Sequence, residues 1–123
     1  MKNEPTILTR GEIWLIDWSP GRGSEQLGRR PALVIQNDQG NHARAYPNTI
    51  VAAISTKGKP FRFHVPIKKS RQNGLKEDSF VKCEQLQTVS KERLIGRAWG
   101  KLNRDEMLAV DEAVCISLGL KSH

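Results

Sequence analysis

At 123 residues the chain has the length of one domain, enough to bury a core without disulfides or metal. Lysine and arginine number 20 against 13 acids, a net charge of +7, which favours an anionic partner with nucleic acid first. Two cysteines, Cys83 and Cys115, with no CxxC or Cys/His cluster, argue against a disulfide framework and a structural zinc site.

The N-terminus MKNEPTILTR lacks the apolar core of a signal peptide, and residues 1–9 read as a flexible tail ahead of one domain over 10–120. Glu12 to Trp18 (EIWLIDW) is expected to be a strand. Trp14, Ile16 and Trp18 share one face and Ile13 and Leu15 the other, so both faces are covered. Gly21 to Arg30 is a polar, glycine-spaced loop, and Ala32 to Gln36 forms the second strand. Asn37 to Asn41 is turn chemistry, with loop continuing through Asn48. Thr49 to Ser55 (TIVAAIS) is a continuous apolar strand, hence central. Its longest apolar run, Ile50 to Ile54, is far too short to cross a bilayer. The expectation is a soluble cytoplasmic protein with no membrane partner.

Phe61 to Lys68 (FRFHVPIK) alternates, and Pro66 places it at an edge or bulge. Lys69 to Asp78 is a basic loop. In Ser79 to Gln85 (SFVKCEQ), Val81 and Cys83 face inward, while Phe80, Lys82 and Glu84 share the outer face. Ser90 caps a short helical turn through Leu94, and Ile95 to Leu102 is a last strand. Asn103 with Glu106 is a capping-box start for a helix to about Leu118, stopped by Gly119. Met107, Val110, Val114 and Leu118 recur at helical spacing, a stripe for core packing. Short strands, glycine turns and one terminal helix describe a mainly β protein: a small barrel with helical decoration.

Nucleotide-binding glycine patterns and a GxSxG elbow are missing. The histidines at 42, 64 and 123 read as solvated. The richer set is Glu25, Arg30, Ser55, Thr56, Lys82 and Glu84, at strand ends, in loops or on a polar strand face. RNA cleavage without a metal would need little more than such residues. A base takes the 2′-OH proton, a cation stabilises the phosphorane, and a donor protonates the 5′ oxygen. Glu25 suits the base, Arg30 the phosphate clamp, and Ser55 or Thr56 a phosphate hydrogen bond.

At these residues the chain resembles the MazF/PemK (Kid) family of toxin–antitoxin toxins. The match is carried by RGEIWLIDWSP, GSEQLGRRPALVIQND, TIVAAIST and GLKEDSFVKCEQLQTVSKERL in order, then the terminal helix. The resemblance implies an SH3-like (CcdB/PemK-type) β-barrel with a C-terminal α-helix, forming a homodimer. It implies a sequence-specific endoribonuclease that cleaves single-stranded RNA with no metal or cofactor. The ends would be a 2′,3′-cyclic phosphate and a 5′-OH. A cognate antitoxin, expected to be acidic, would occupy the RNA site. Carried over, Arg30 in RRP matches the catalytic arginine, and Ser55 stands where many relatives have a catalytic threonine, with Thr56 beside it. Glu25 and Glu84 match acidic site positions. Ser24, Gln26, Arg29, Asn37, Lys57, Lys82 and Gln85 complete the expected RNA-contacting set. Two other readings suit the same barrel: a toxin that poisons DNA gyrase, and an RNA-binding module without catalysis.

Overall fold

The computed structural model describes residues 7–18 and 28–121. Six strands form one antiparallel sheet: β1 (Glu12–Asp17), β2 (Arg29–Val34), β3 (Asn48–Ser55), β4 (His64–Ile67), β5 (Ser79–Ser90) and β6 (Leu94–Lys101). A four-residue turn of helix, α1 (Asp38–Asn41), precedes β3, and α2 (Arg104–Leu118) closes the chain. The sheet order is β4-β5-β3-β2-β1-β6. β4 is an edge strand, as Pro66 requires, since its missing N–H would break an interior ladder.

Both faces of the sheet are apolar, as the β1 pattern predicts. One face packs Ile13, Leu33, Ala52, Ile54 and Val81 against Val110 and Ala113 of α2. The other gathers Trp14, Ile16, Ala32, Val34, Val51 and Leu94. Leu8, inside the stretch expected to be a tail, is fully buried in this second cluster. The capping box at Asn103 and Glu106 is formed, and Gly119 ends α2 at φ 72°, in the left-handed region that glycine enters without strain. Of the expected α2 stripe, Val110 is fully buried, Met107 and Val114 pack against the core, and Leu118 is exposed.

Two features bend the sheet. Lys82 pairs with Ala53, yet Leu86 pairs with Ala52, so Cys83, Glu84 and Gln85 bulge out of the β3 ladder. The Cys83 N–H stays with the other neighbour, donating to the Phe63 carbonyl at 2.8 Å. The second feature is the connection from β5 to β6, a 3-10 turn of three residues, Lys91–Arg93. These strands lie four places apart in the sheet, about 19 Å if it were flat. A turn that short covers about 8 Å. The sheet must therefore curl strongly to bring the end of β5 to the start of β6.

The expected barrel is not closed by strand pairing: among the described residues no ladder joins β4 to β6. Instead the segment between β4 and β5 lies across β6. The Lys101 N–H donates to the Gln72 carbonyl at 3.0 Å. Gly74 and Gly100 permit this approach, because a Cβ on either would overlap backbone atoms of the opposite segment.

Candidate active site

The strand register assembles the site. On the face away from α2, Ile16 pairs with Arg30 and Ala32 with Ala53. The β2–β3 ladder ends at Ala32–Ala53, and alternation from that pair puts Arg30 and Ser55, each two residues further on, on the same face at the same end of the two strands. Ser55 pairs with Phe80, and Phe80 with Pro66. The next row runs Ala32, Ala53, Lys82, His64. Residues directly opposite in an antiparallel sheet share a face. The guanidinium, the hydroxyl, Lys82 and His64 thus rise from one rigid surface. Arg30 is exposed and, with Trp18, Pro31, Ala53, Gln85 and Gln87, lines a hollow of about 340 Å³.

The expected loop–strand boundary at Arg30 shifts. β2 begins at Arg29, which pairs with Asp17 while Arg30 pairs with Ile16. Alternation sends Arg29 to the opposite side of the sheet from Arg30. Ser55 is half-buried at the end of β3, and its Oγ accepts the Lys57 N–H at 3.1 Å. That bond leaves the hydroxyl proton available to a phosphate oxygen. Thr56 and Lys57 are exposed just beyond it. Ser24, Glu25 and Gln26 lie outside the described residues. Asn37 is not brought to this surface. It caps α1, accepting the Gly40 N–H at 3.2 Å, beyond the opposite end of β2. The reason is topological: six residues of mostly extended chain, 31–36, separate it from Arg30.

His64 corrects the expectation of a solvated histidine. Its side chain is only 6% exposed, and both ring nitrogens are engaged. Nδ1 accepts the Lys59 N–H at 3.1 Å, so Nε2 carries the proton and donates it to Glu84 Oε2 at 3.0 Å. Phe61 and Phe63 meet the ring edge-on, with centroids 5.4 Å away in each case. The histidine thereby ties the loop after Ser55 to the β5 bulge. Gln85 Nε2 adds a long contact to the same carboxylate oxygen at 3.4 Å. Burial pushes the Glu84 carboxyl up. Hydrogen bonds from His64, the backbone and Gln85, with the electrostatic pull of His64, outweigh this and leave it below its ordinary value. The expected placement of Lys82 and Glu84 on one face survives although Glu84 lies in the bulge, because His64, directly opposite Lys82 on β4, holds its carboxylate. His42, by contrast, is exposed, as expected.

Sequence reasoning missed His64 as part of this surface. The FRFHV alternation does place it opposite Phe63 and Val65. Its partner became visible only through the 64–82 pairing and the bulge that turns Glu84 toward it. Cys83, between Lys82 and Glu84, is buried in the α2-side core. Burial first, then the carboxylates of Glu84 and Asp111, pushes its thiol up to about 12, so it stays protonated. Among the described residues no three His, Cys, Asp or Glu side chains come together in a set able to hold a metal ion.

The family model for PemK-like, MazF-like toxins of type II toxin–antitoxin systems matches residues 9–118. Among solved structures, a Mycobacterium tuberculosis toxin, MazF-mt6, is 25% identical, with 90% of this chain and 99% of that one covered and a TM-score of 0.73. Another Mtb toxin is 30% identical, covering 72% of this chain and 91% of that one, with a TM-score of 0.61. A mycobacterial endoribonuclease in complex with its cognate antitoxin shares the fold at 20% identity, covering 94% and 99%, with a TM-score of 0.76.

Proposed function

This chain belongs to the PemK-like, MazF-like family of type II toxin–antitoxin toxins, and we propose that it is a sequence-specific endoribonuclease acting on single-stranded RNA. The observation that carries the reading is that Arg30 and Ser55 both lie two residues beyond the Ala32–Ala53 pair, on the sheet face that also carries Lys82. In the proposed reaction the 2′ oxygen attacks the adjacent phosphorus, forming the 2′-O–P bond and releasing the 5′ oxygen. A base takes the 2′-OH proton, the role given to Glu25, and a proton is returned to the 5′ oxygen as it leaves. Arg30 clamps the charge that builds on the phosphorane oxygens, and Ser55 donates to one of them. Thr56 is the second candidate for that hydroxyl, and Lys82 supplies a further cation. Glu84, fixed by His64, faces the same surface and suits a 2′-OH or a base edge. The products are a 2′,3′-cyclic phosphate and a 5′-OH, with no metal or cofactor required.

The reading extends to fold and partners. A sheet that curls enough for a three-residue link, with the β4–β5 segment laid over β6, supports an SH3-like, CcdB/PemK-type barrel. The structural relative bound to its cognate antitoxin supports a protein inhibitor for this chain too. Acidic character in that antitoxin suits the net charge of +7. A homodimer in the cytoplasm completes the proposal, and no helix of the described residues is long and apolar enough to cross a membrane. The test is the chemistry of the cut ends after incubating purified protein with a structureless RNA. Fragments bearing 5′-OH and 2′,3′-cyclic phosphate are expected; a 5′-phosphate excludes attack by the 2′-OH.

A further inference from the structure

We propose that the hollow next to Ser55, walled by Phe61 and Phe80, is a stacking seat for one unpaired nucleobase of the RNA substrate. This rests on the RNA-cleavage reading. The hollow has a volume of about 510 Å³ and lies between the loop Gly58–Arg62 and the strand residues His64, Pro66 and Phe80. Its position is fixed by the sheet: Phe80 pairs with Ser55 on one side and with Pro66 on the other. The seat therefore begins one strand spacing from Ser55, on the sheet face that also carries Arg30, within reach of a nucleotide neighbouring the cut.

Its chemistry selects a base. Phe61 keeps 49% of its surface exposed although one face is stacked on Phe63, with centroids 5.2 Å apart and planes 23° from parallel. An aromatic ring rigidly backed by a second ring and half open to solvent is an unfilled stacking platform. Gly58 lies so close over Phe80 that a Cβ there would fall within 2.6 Å of ring atoms, so the loop is pressed flat against the floor. Lys59 and Arg62 are exposed at the rim, and among the described residues no carboxylate lines the hollow. The Glu84 carboxylate is held by His64 and does not line it. Apolar walls with a cationic rim fit a base flanked by phosphates. An acidic peptide carrying an aromatic side chain is the competitor that the experiment separates.

The probe is an RNA oligonucleotide spanning a site that the wild-type protein cuts, with a 2′-O-methyl group blocking the attacking hydroxyl. Fluorescence anisotropy compares wild type, Phe61→Leu and Phe61→Tyr on this RNA and on versions with one abasic position each. Phe61→Leu keeps the apolar contact with Phe63 but offers no ring, and its fold is checked by thermal unfolding. Phe61→Leu is expected to weaken binding about 5- to 150-fold, and Phe61→Tyr to stay within about twofold of wild type. One abasic position should cost wild type the same factor and cost Phe61→Leu nothing further. A folded Phe61→Leu that binds the intact RNA like wild type overturns the seat. So does an abasic penalty of equal size in both proteins, and so does a variant that loses only an acidic antitoxin peptide. A wild-type protein that cuts no RNA defeats the cleavage reading as well, whereas normal cutting with an indifferent Phe61 defeats the seat alone.

Discussion

Removing the His64–Glu84 contact tests whether this surface is built as a unit. The perturbation is a double-mutant cycle of His64→Ala, Glu84→Ala and both together. His64→Ala deletes a ring that is 6% exposed, leaves the Lys59 N–H without its acceptor, and removes edge contacts to two phenylalanines. Lost packing of about 2–3 kcal/mol and about 1 kcal/mol for the loop hydrogen bond give roughly 3–4 kcal/mol in all. Glu84 is 34% exposed, so its share of the pair is discounted for solvent to about 1 kcal/mol. That last figure is the coupling the cycle should return by urea denaturation at pH 7. Its pH dependence has a definite sign. The folded carboxyl of Glu84 sits below its ordinary value of 4.5. Its stabilisation is therefore full above that value and fades as pH falls through the lower folded value. The gap between wild type and Glu84→Gln should hold from pH 7 to 5 and narrow on further acidification. A coupling indistinguishable from zero at pH 7, or a gap that widens toward acid, refutes the reasoning.

Arg30→Ala should abolish RNA cleavage while leaving the thermal midpoint nearly unchanged, because the residue is exposed at a strand end; retained cleavage removes it from the chemistry. Gly100→Ala forces a Cβ into the Gln72–Asn73 backbone and should cost about 2–4 kcal/mol, read as a lower urea midpoint with unchanged slope. RNA affinity should fall as salt rises, and Lys82→Ala should make the log–log slope shallower by about 0.7 if that side chain neutralises one phosphate; an unchanged slope removes Lys82 from the backbone contacts. Chelation by EDTA should leave cleavage intact, and loss of activity that added Mg²⁺ restores sinks the metal-free mechanism.

Much of this architecture is legible in the amino-acid sequence. The β1 pattern with tryptophans on one side and Ile13 on the other requires a strand covered on both faces, and two cores are found. Asn103, Glu106 and Gly119 mark α2 because capping chemistry is local. Register is not local, and the misses follow from that. The expected strand end at Gln85 was wrong by five residues, since β5 continues to Ser90. Alternation failed there for a physical reason. Before the bulge Phe80 and Lys82 face the site, whereas beyond it Gln87 shares the face of Val51, so the parity of the pattern reverses. Asn37 was joined to the site by its place in a sequence motif, although the length of β2 carries it to the far end. His64 was read from its polarity alone, without the strand that supplies its partner.

The bulge at Cys83–Gln85 also bears on how such a protein can change over time. The part of β5 before it is secured by both β4 and β3, and the part after it by β3 alone. Each half keeps its own alignment, so a residue gained or lost between them need not disturb either ladder. The sheet thus carries a joint at which length and identity can drift beside the proposed catalytic groups while the core stays in place. A family diversifying its targets would find variation easier at that joint than along β2 or β3. There, one inserted residue would turn Arg30 or Ser55 to the wrong side of the sheet.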